Sequence, residues 1–414
     1  MWPRRVLEIS FGLAFCVQAV LARVPLVGPN WVGSWAAAQQ VPEANNSLAP
    51  GDLRDATLRQ VVHLSIGGET LRVHISNAFG TAPLEFTSVH IARPTSSASP
   101  RIEASTDRAL TFSGRQGLSV PARAEYISDP IAFAVEAQSD LAITFHVNQP
   151  PEVETGHPGS RATSYLVHGD HVAAVDLPGV ITFEHWFNIA GVDVSAPPGA
   201  AAIVTLGDSI TDGRGSTTNG NDRWPDALAR RLRMAVPSRF LAVLNQGIGG
   251  NRLLLDGLGP NALARFDRDV LAEAGVRYLI VLEGINDIGT SGLAGSTVQA
   301  AHERLVHSII AAYEQIVLRA HGHGIRVYGG TLTPFAGSAY YKLGPTSEAE
   351  RVAVNQWIRA PGHFDAVIDF DKAVRDPRQP EALLPAYDSG DHLHLSPAGY
   401  RAMADAVQLA DFTP

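Results

Sequence analysis

Val204-Thr205-Leu206-Gly207-Asp208-Ser209-Ile210-Thr211-Asp212-Gly213 lies near the midpoint of the chain, and Asp391-His392-Leu393-His394 lies near its end. The first stretch is an apolar run that passes directly into Gly-Asp-Ser. An apolar run of strand length ending in glycine and small polar residues predicts a buried strand followed by a sharp turn. The polar residues then stand at the end of that strand, where a parallel sheet presents its chemistry.

The same pattern recurs through the second half. Apolar runs occupy residues 201–206, 240–244, 278–282, 325–328 and 366–370, separated by helix-period stretches at 224–236, 298–320, 347–360 and 397–407. Strands alternating with helices predict a parallel sheet covered on both faces, with ligands beyond the carboxyl ends of the strands. Three polar motifs follow strands directly: Gly207-Asp208-Ser209, Asn245-Gln246-Gly247-Ile248-Gly249-Gly250-Asn251 and Gly284-Ile285-Asn286-Asp287. They therefore open onto one edge of the sheet, and Asp391 and His394 are expected in the loop before the closing helix.

The first half reads differently. Alternation at Val62-His63-Leu64-Ser65-Ile66 and Leu71-Arg72-Val73-His74-Ile75-Ser76 predicts half-buried strands, with Gly67-Gly68 as a hairpin turn between them and His63 and His74 exposed. Further strands are expected at 86–92, 109–112, 131–135 and 141–147. Close spacing of short strands suggests a sandwich or jelly-roll-like module. Ser195-Ala196-Pro197-Pro198-Gly199 is the expected linker.

At 414 residues the chain exceeds one usual core, so two domains are expected. A net charge of -9 without Lys/Arg runs disfavours nucleic acid and anionic membranes as partners. The start of the chain has a charged Arg4-Arg5, an apolar stretch over about 9–22, and small residues at Val20 and Ala22. This is the pattern of a signal peptide cleaved after Ala22, against the alternative of a buried N-terminal helix. The stretch is too short to span a bilayer comfortably. Cys16 is the single cysteine and only faintly resembles a lipoprotein box; it would depart with the signal. The expected domains are 1–22, 23–196 and 197–414, in a secreted or periplasmic protein without stable membrane insertion.

A serine hydroxyl attacks an ester at neutral pH only when an imidazole takes its proton and a carboxylate orients that imidazole. Ser209, with His394 and Asp391, supplies those residue types. Gly-Asp-Ser, the glycine loop, Gly-x-Asn-Asp and Asp-x-x-His, in this order, closely resemble the four blocks of the SGNH, or GDSL, hydrolases, over about residue 200 to the C-terminus. Trp31-Val32-Gly33-Ser34-Trp35-Ala36-Ala37 and the β half further resemble a two-domain secreted branch with xylan-esterase-like members. The resemblance implies a flavodoxin-like three-layer α/β/α hydrolase domain after a β-sandwich-like domain. It assigns Ser209 as nucleophile, His394 as base and Asp391 as orienting carboxylate. It assigns the oxyanion donors to the backbone N–H of Ser209, the backbone N–H of Gly250 and the Asn286 amide, with Gly249 an alternative for Gly250. The Gly-x-Ser-x-Gly elbow of the α/β-hydrolases is absent.

Gly-Asp-Ser can be a simple helix N-cap, and His392 can be the base in place of His394. Asp208 and Asp287 are expected to bind loop backbone, and Asn245 to fix its own loop. His321-Gly322-His323-Gly324 suits a helix C-cap better than a metal site, and Leu253-Leu254-Leu255 could line an acyl pocket. The combined expectation is a serine esterase for short-chain or O-acetyl esters, small or polymeric, without metal or cofactor; oligomeric state is not readable. A lipase or lysophospholipase of the same fold, and an inert carbohydrate-binding protein, are the alternatives.

Overall fold

The computed structural model describes residues 1, 29–235, 240–292 and 298–412. The expected signal peptide, with Ala22 and Cys16, lies outside the described residues apart from Met1. No helix among the described residues is long and apolar enough to cross a membrane.

The first half is built from antiparallel strands in two main sheets. Its principal strands are β1 (Trp31–Ala36), β2 (Ala56–Leu64), β3 (Gly68–Ser76), β4 (Leu84–Ala92), β5 (Ser139–Val147), β6 (Ser164–His168) and β7 (Ile189–Ser195). One sheet runs β1-β7-β3, with short strands Glu125–Ile127 and Ile131–Val135 added to β3. The other runs β6-β2-β5-β4, extended by short strands at both ends. The expected hairpin between β2 and β3 does not form: the two strands belong to different sheets. Gly67 lies at the crossing, where an added Cβ would come within 2.5 Å of the Val135 carbonyl oxygen. The glycine pair thus serves close approach of backbone to backbone rather than a tight reversal. Two further expectations fail with it. His74 is buried between Asp193 and Glu125, and His63 is only partly exposed, bonded to Asp140.

The second half holds a five-stranded parallel sheet of β8 (Ala201–Gly207), β9 (Leu241–Gly247), β10 (Val276–Leu282), β11 (Arg326–Gly330) and β12 (Ala366–Ile368). The spatial order is β9-β8-β10-β11-β12, so the first strand lies inside and the order reverses beside it. Every residue of β8 is buried, as expected of a parallel strand covered on both faces. Helices α1 (Trp224–Met234) and α4 (Pro397–Ala406) pack together, as do α2 (Gln299–Gly322) and α3 (Pro345–Arg359). Right-handed crossovers on either side of the reversal send these pairs to opposite faces. Residue 370, expected in the last strand, opens a short helix instead, capped by Asp369.

Ser195 is not linker: it is the last residue of β7 and pairs with Trp31. The halves are joined by backbone as well as side chains. Ala37, just past β1, forms a parallel bridge with Asn245 on the outer edge of β9. Ser65 Oγ accepts the outward N–H of Val243 at 3.2 Å, and Gly33 N–H donates to the Ala274 carbonyl at 2.9 Å. One apolar cluster runs without a break from Val32 through both halves to Phe412.

Candidate active site

Ser209 sits at the first position of a one-turn helix, Ser209–Asp212, immediately after β8. Asp208 caps that turn, its Oδ1 accepting the Ile210 N–H at 2.9 Å, and Gly213 closes it at φ +100°. The cap is therefore Asp208 and not Ser209, so the N-cap reading holds for this turn without using the serine hydroxyl. His394 Nε2 lies 2.7 Å from Ser209 Oγ, and its Nδ1 lies 2.7 Å from Asp391 Oδ2. Asp391 Oδ1 also accepts the N–H groups of Leu393 and His394, at 3.0 and 2.8 Å. The single loop thus presets the carboxylate and ring that it carries. Burial pushes the Asp391 carboxyl up, but the ring and backbone donors outweigh it and hold it well below the usual carboxylate range. With Nδ1–H given to Asp391, Nε2 presents its lone pair to the serine O–H.

His392 points elsewhere. Its Nδ1 bonds Asp388 and its side chain is exposed, so it does not reach Ser209.

The donors assigned to the oxyanion converge on the same cleft. Gly250 adopts φ +72°, a backbone conformation that favours glycine, and a Cβ there would press on the exposed Leu258 side chain. Among the described residues, neither the Ser209 nor the Gly250 N–H has a partner. Asn286 Nδ2 donates one proton to the Asn251 carbonyl at 2.7 Å, leaving its second for the cleft. The Tyr341 hydroxyl donates to Asn286 Oδ1 and so fixes the amide's orientation. Gly249 also lines the cleft.

The supporting polar residues tie the loops to one another. Asn245 accepts from its own loop at Gly247 N–H and donates to the Thr211 carbonyl of the serine turn. Asp287 receives the N–H groups of Leu253 and Leu254 at 2.8 and 2.9 Å; burial pushes its carboxyl up to about 6. Arg265, which the sequence pattern did not single out, is fully buried and donates to the carbonyls ending β8 and β9, Gly207 and Gln246, and to Asn251 Oδ1. Tyr341 was missed as well. No motif spacing marks either residue, because each acts across the fold.

The cleft above Ser209 has a volume of about 530 Å³. Leu253 is fully buried beneath the loop and Leu255 points to solvent, so the expected leucine wall is not there; Leu258 lines the cleft instead. Tyr340 stands edge-on to His394, ring centroids 5.2 Å apart. Gln40, Asn46, His157 and Arg161 come from the β half and wall the opposite side. His321 bonds Asp365, and no group of three or more metal-ligating side chains occurs among the described residues.

Residues 205–402 match the model of the GDSL-like lipase/acylhydrolase family. The parallel half is a GDSL-like lipase/acylhydrolase domain. A search of curated proteins finds no match to the chain. Solved structures similar to part of the chain include a lipolytic protein of the G-D-S-L family from Desulfitobacterium hafniense, 20% identical with a TM-score of 0.38, covering 50% of this chain and 97% of its own. An acetylxylan esterase from Geobacillus stearothermophilus is 20% identical with a TM-score of 0.38, covering 52% of this chain and 95% of its own. A GDSL-like lipase from Bacteroides thetaiotaomicron is 17% identical with a TM-score of 0.37, covering 51% and 87%.

Proposed function

We propose that the protein is an exported serine esterase that cleaves short carboxylic esters, O-acetyl groups on polyols and polysaccharides among them, through an acyl-enzyme on Ser209. The observation that carries this reading is the hydrogen-bonded series Ser209–His394–Asp391, with both links at 2.7 Å. Ser209 Oγ attacks the ester carbonyl as its proton passes to His394 Nε2. The carbonyl oxygen gains charge and receives the N–H groups of Ser209 and Gly250 and the free amide proton of Asn286. His394 then protonates the departing alcohol, and water repeats the cycle on the acyl-enzyme. Asp391 holds the ring and stabilises its charged form. A cleft walled by amide and charged side chains supports a polar alcohol portion and a short acyl group over a long lipid chain.

The test is covalent and kinetic. A phosphonate ester is expected to label Ser209 alone, read by peptide mass spectrometry, and Ser209→Ala to lower kcat by roughly four orders of magnitude or more. An adduct on another residue, or near-native turnover of Ser209→Ala on a chromogenic acetate, would overturn the reading and favour a binding protein with an inert cleft. Export with cleavage after Ala22 predicts a mature N-terminus at Arg23 in protein recovered outside the cytoplasm.

A further inference from the structure

Tyr340 takes no part in the steps above, yet it stands against the base. Its ring meets the His394 imidazole at right angles, centroids 5.2 Å apart, and lines the cleft. Although 49% exposed, it is held through both of its chain neighbours. The Ala339 N–H donates to the Asp391 carbonyl at 3.0 Å, and the Tyr341 hydroxyl donates to Asn286 Oδ1. The Tyr340 N–H itself donates to Ser338 Oγ at 3.2 Å. Its own hydroxyl has no partner among the described residues, so the fold fixes the ring and not a hydrogen bond from it.

The chemistry decides what passes over that ring. His394 Nε2 must hand a proton to the departing alcohol, so the alcohol oxygen comes within about 3 Å of it. The carbon that bears this oxygen lies one bond further out. The first unit of the alcohol portion therefore rests beside the imidazole, within reach of Tyr340. A flat aromatic ring favours a unit that has an apolar face of its own. A pyranose with equatorial hydroxyls is such a unit: axial C–H bonds make its faces apolar, and the hydroxyls point out from its rim. The same cleft carries the amide of Gln40, the guanidinium of Arg161 and the carboxylate of Glu184, all from the β half, which suit those hydroxyls. That wall is tied to the serine turn by His157, whose Nε2 lies 3.0 Å from Asp212 Oδ1 and whose Nδ1 lies 2.8 Å from the Ala38 carbonyl. An acyclic polyol offers the hydroxyls without the face, and an alkyl alcohol offers apolar surface without the hydroxyls.

We infer that Tyr340 is a specificity-determining residue, the platform on which a sugar ring lies while its ester is cleaved. This rests on the esterase reading and narrows it: the preferred substrates carry the acyl group on a ring hydroxyl of a pyranose. The β half is then part of the substrate site and not an appendage.

The test compares methyl β-xylopyranoside monoacetate with xylitol monoacetate, which has a similar run of hydroxyls but no ring, on the full-length protein. Both esters pass through the same acetyl-enzyme, so a difference in kcat/KM arises before the alcohol departs. Wild type is expected to favour the pyranoside ester by roughly five- to tenfold, one aromatic face contact. Tyr340→Ala is expected to bring that ratio to about parity, and Tyr340→Phe, which keeps the ring, to retain it. A merely structural role leaves the ratio unmoved. A wild-type ratio near one, or a ratio preserved in Tyr340→Ala, overturns the inference. So does an equal loss on both esters with a displaced acid limb of the pH profile, which would place the role of the ring on the imidazole. Saturation-transfer NMR of methyl β-xylopyranoside reads the platform without turnover. If wild type cleaves neither ester but binds the xyloside in a Tyr340-dependent way, the esterase reading fails and the platform stands. If it neither cleaves nor binds, both fall.

Discussion

Asn286 is held from both ends, by the Asn251 carbonyl and by the Tyr341 hydroxyl. In the proposed mechanism, that arrangement aims the remaining amide proton before substrate arrives, so the donor would need no reorganisation during the reaction. Asn286→Ala is expected to lower kcat by about 10²–10³ with a much smaller change in KM. Tyr341→Phe leaves the amide in place but frees its oxygen, and is expected to cost roughly tenfold in kcat. His394→Ala should be far more severe than His392→Ala; equal losses in steady-state assays would reject the assignment. The legible residues are those whose roles follow from position along the chain. Ser209 and Asn286 each follow a strand end, and Asp391 and His394 share one loop. Tyr341, Arg265 and His157 were not legible, since each acts on a partner distant in sequence and nothing local distinguishes a working tyrosine from a packing one.

At the scale of elements, the parallel half was read nearly whole from periodicity because fully buried strands are apolar throughout. The β half was read less well. Alternation identified β2 and β3 as strands but could not reveal that they lie in different sheets, since a glycine pair at a crossing looks like one at a hairpin. The same limit hid His74. Burial opposes its charge, but the hydrogen bonds that its ring N–H groups donate to Asp193 and Glu125 outweigh it and raise its pKa to about 10. A histidine whose folded pKa is raised contributes stability that is complete below its unfolded value near 6.5. That contribution is lost as pH rises through the folded value. Tm is therefore expected to fall between about pH 6.5 and 10, and His74→Gln to be less stable at pH 6 but flatter across that window. Asp208, pushed up to about 7 by burial, acts on the other side: its contribution is present below the unfolded carboxylate range and declines as pH rises to 7. A calorimetric pH series on His74→Gln and Asp208→Asn separates the two windows.

Over the whole molecule, one apolar core and shared backbone hydrogen bonds bind the halves. Both are expected to melt in a single calorimetric transition, with the β-sheet and helical circular dichroism signals lost together; two resolved transitions would instead indicate independent modules. Residues from 200 onward, expressed alone, are expected to be poorly soluble, and a soluble fragment with unimpaired turnover of small esters would reject that view.

The bridge from Ala37 to Asn245 and the Ser65 cap on the Val243 N–H carry one more consequence. β9 is an outermost strand, and its Leu241, Ala242, Val243 and Leu244 are all buried. Such an apolar border, once uncovered, is a template on which a second chain can add a strand. The β half therefore works as a built-in guard against self-assembly. Loss of that guard should leave its mark as ordered deposits that bind thioflavin rather than as amorphous precipitate.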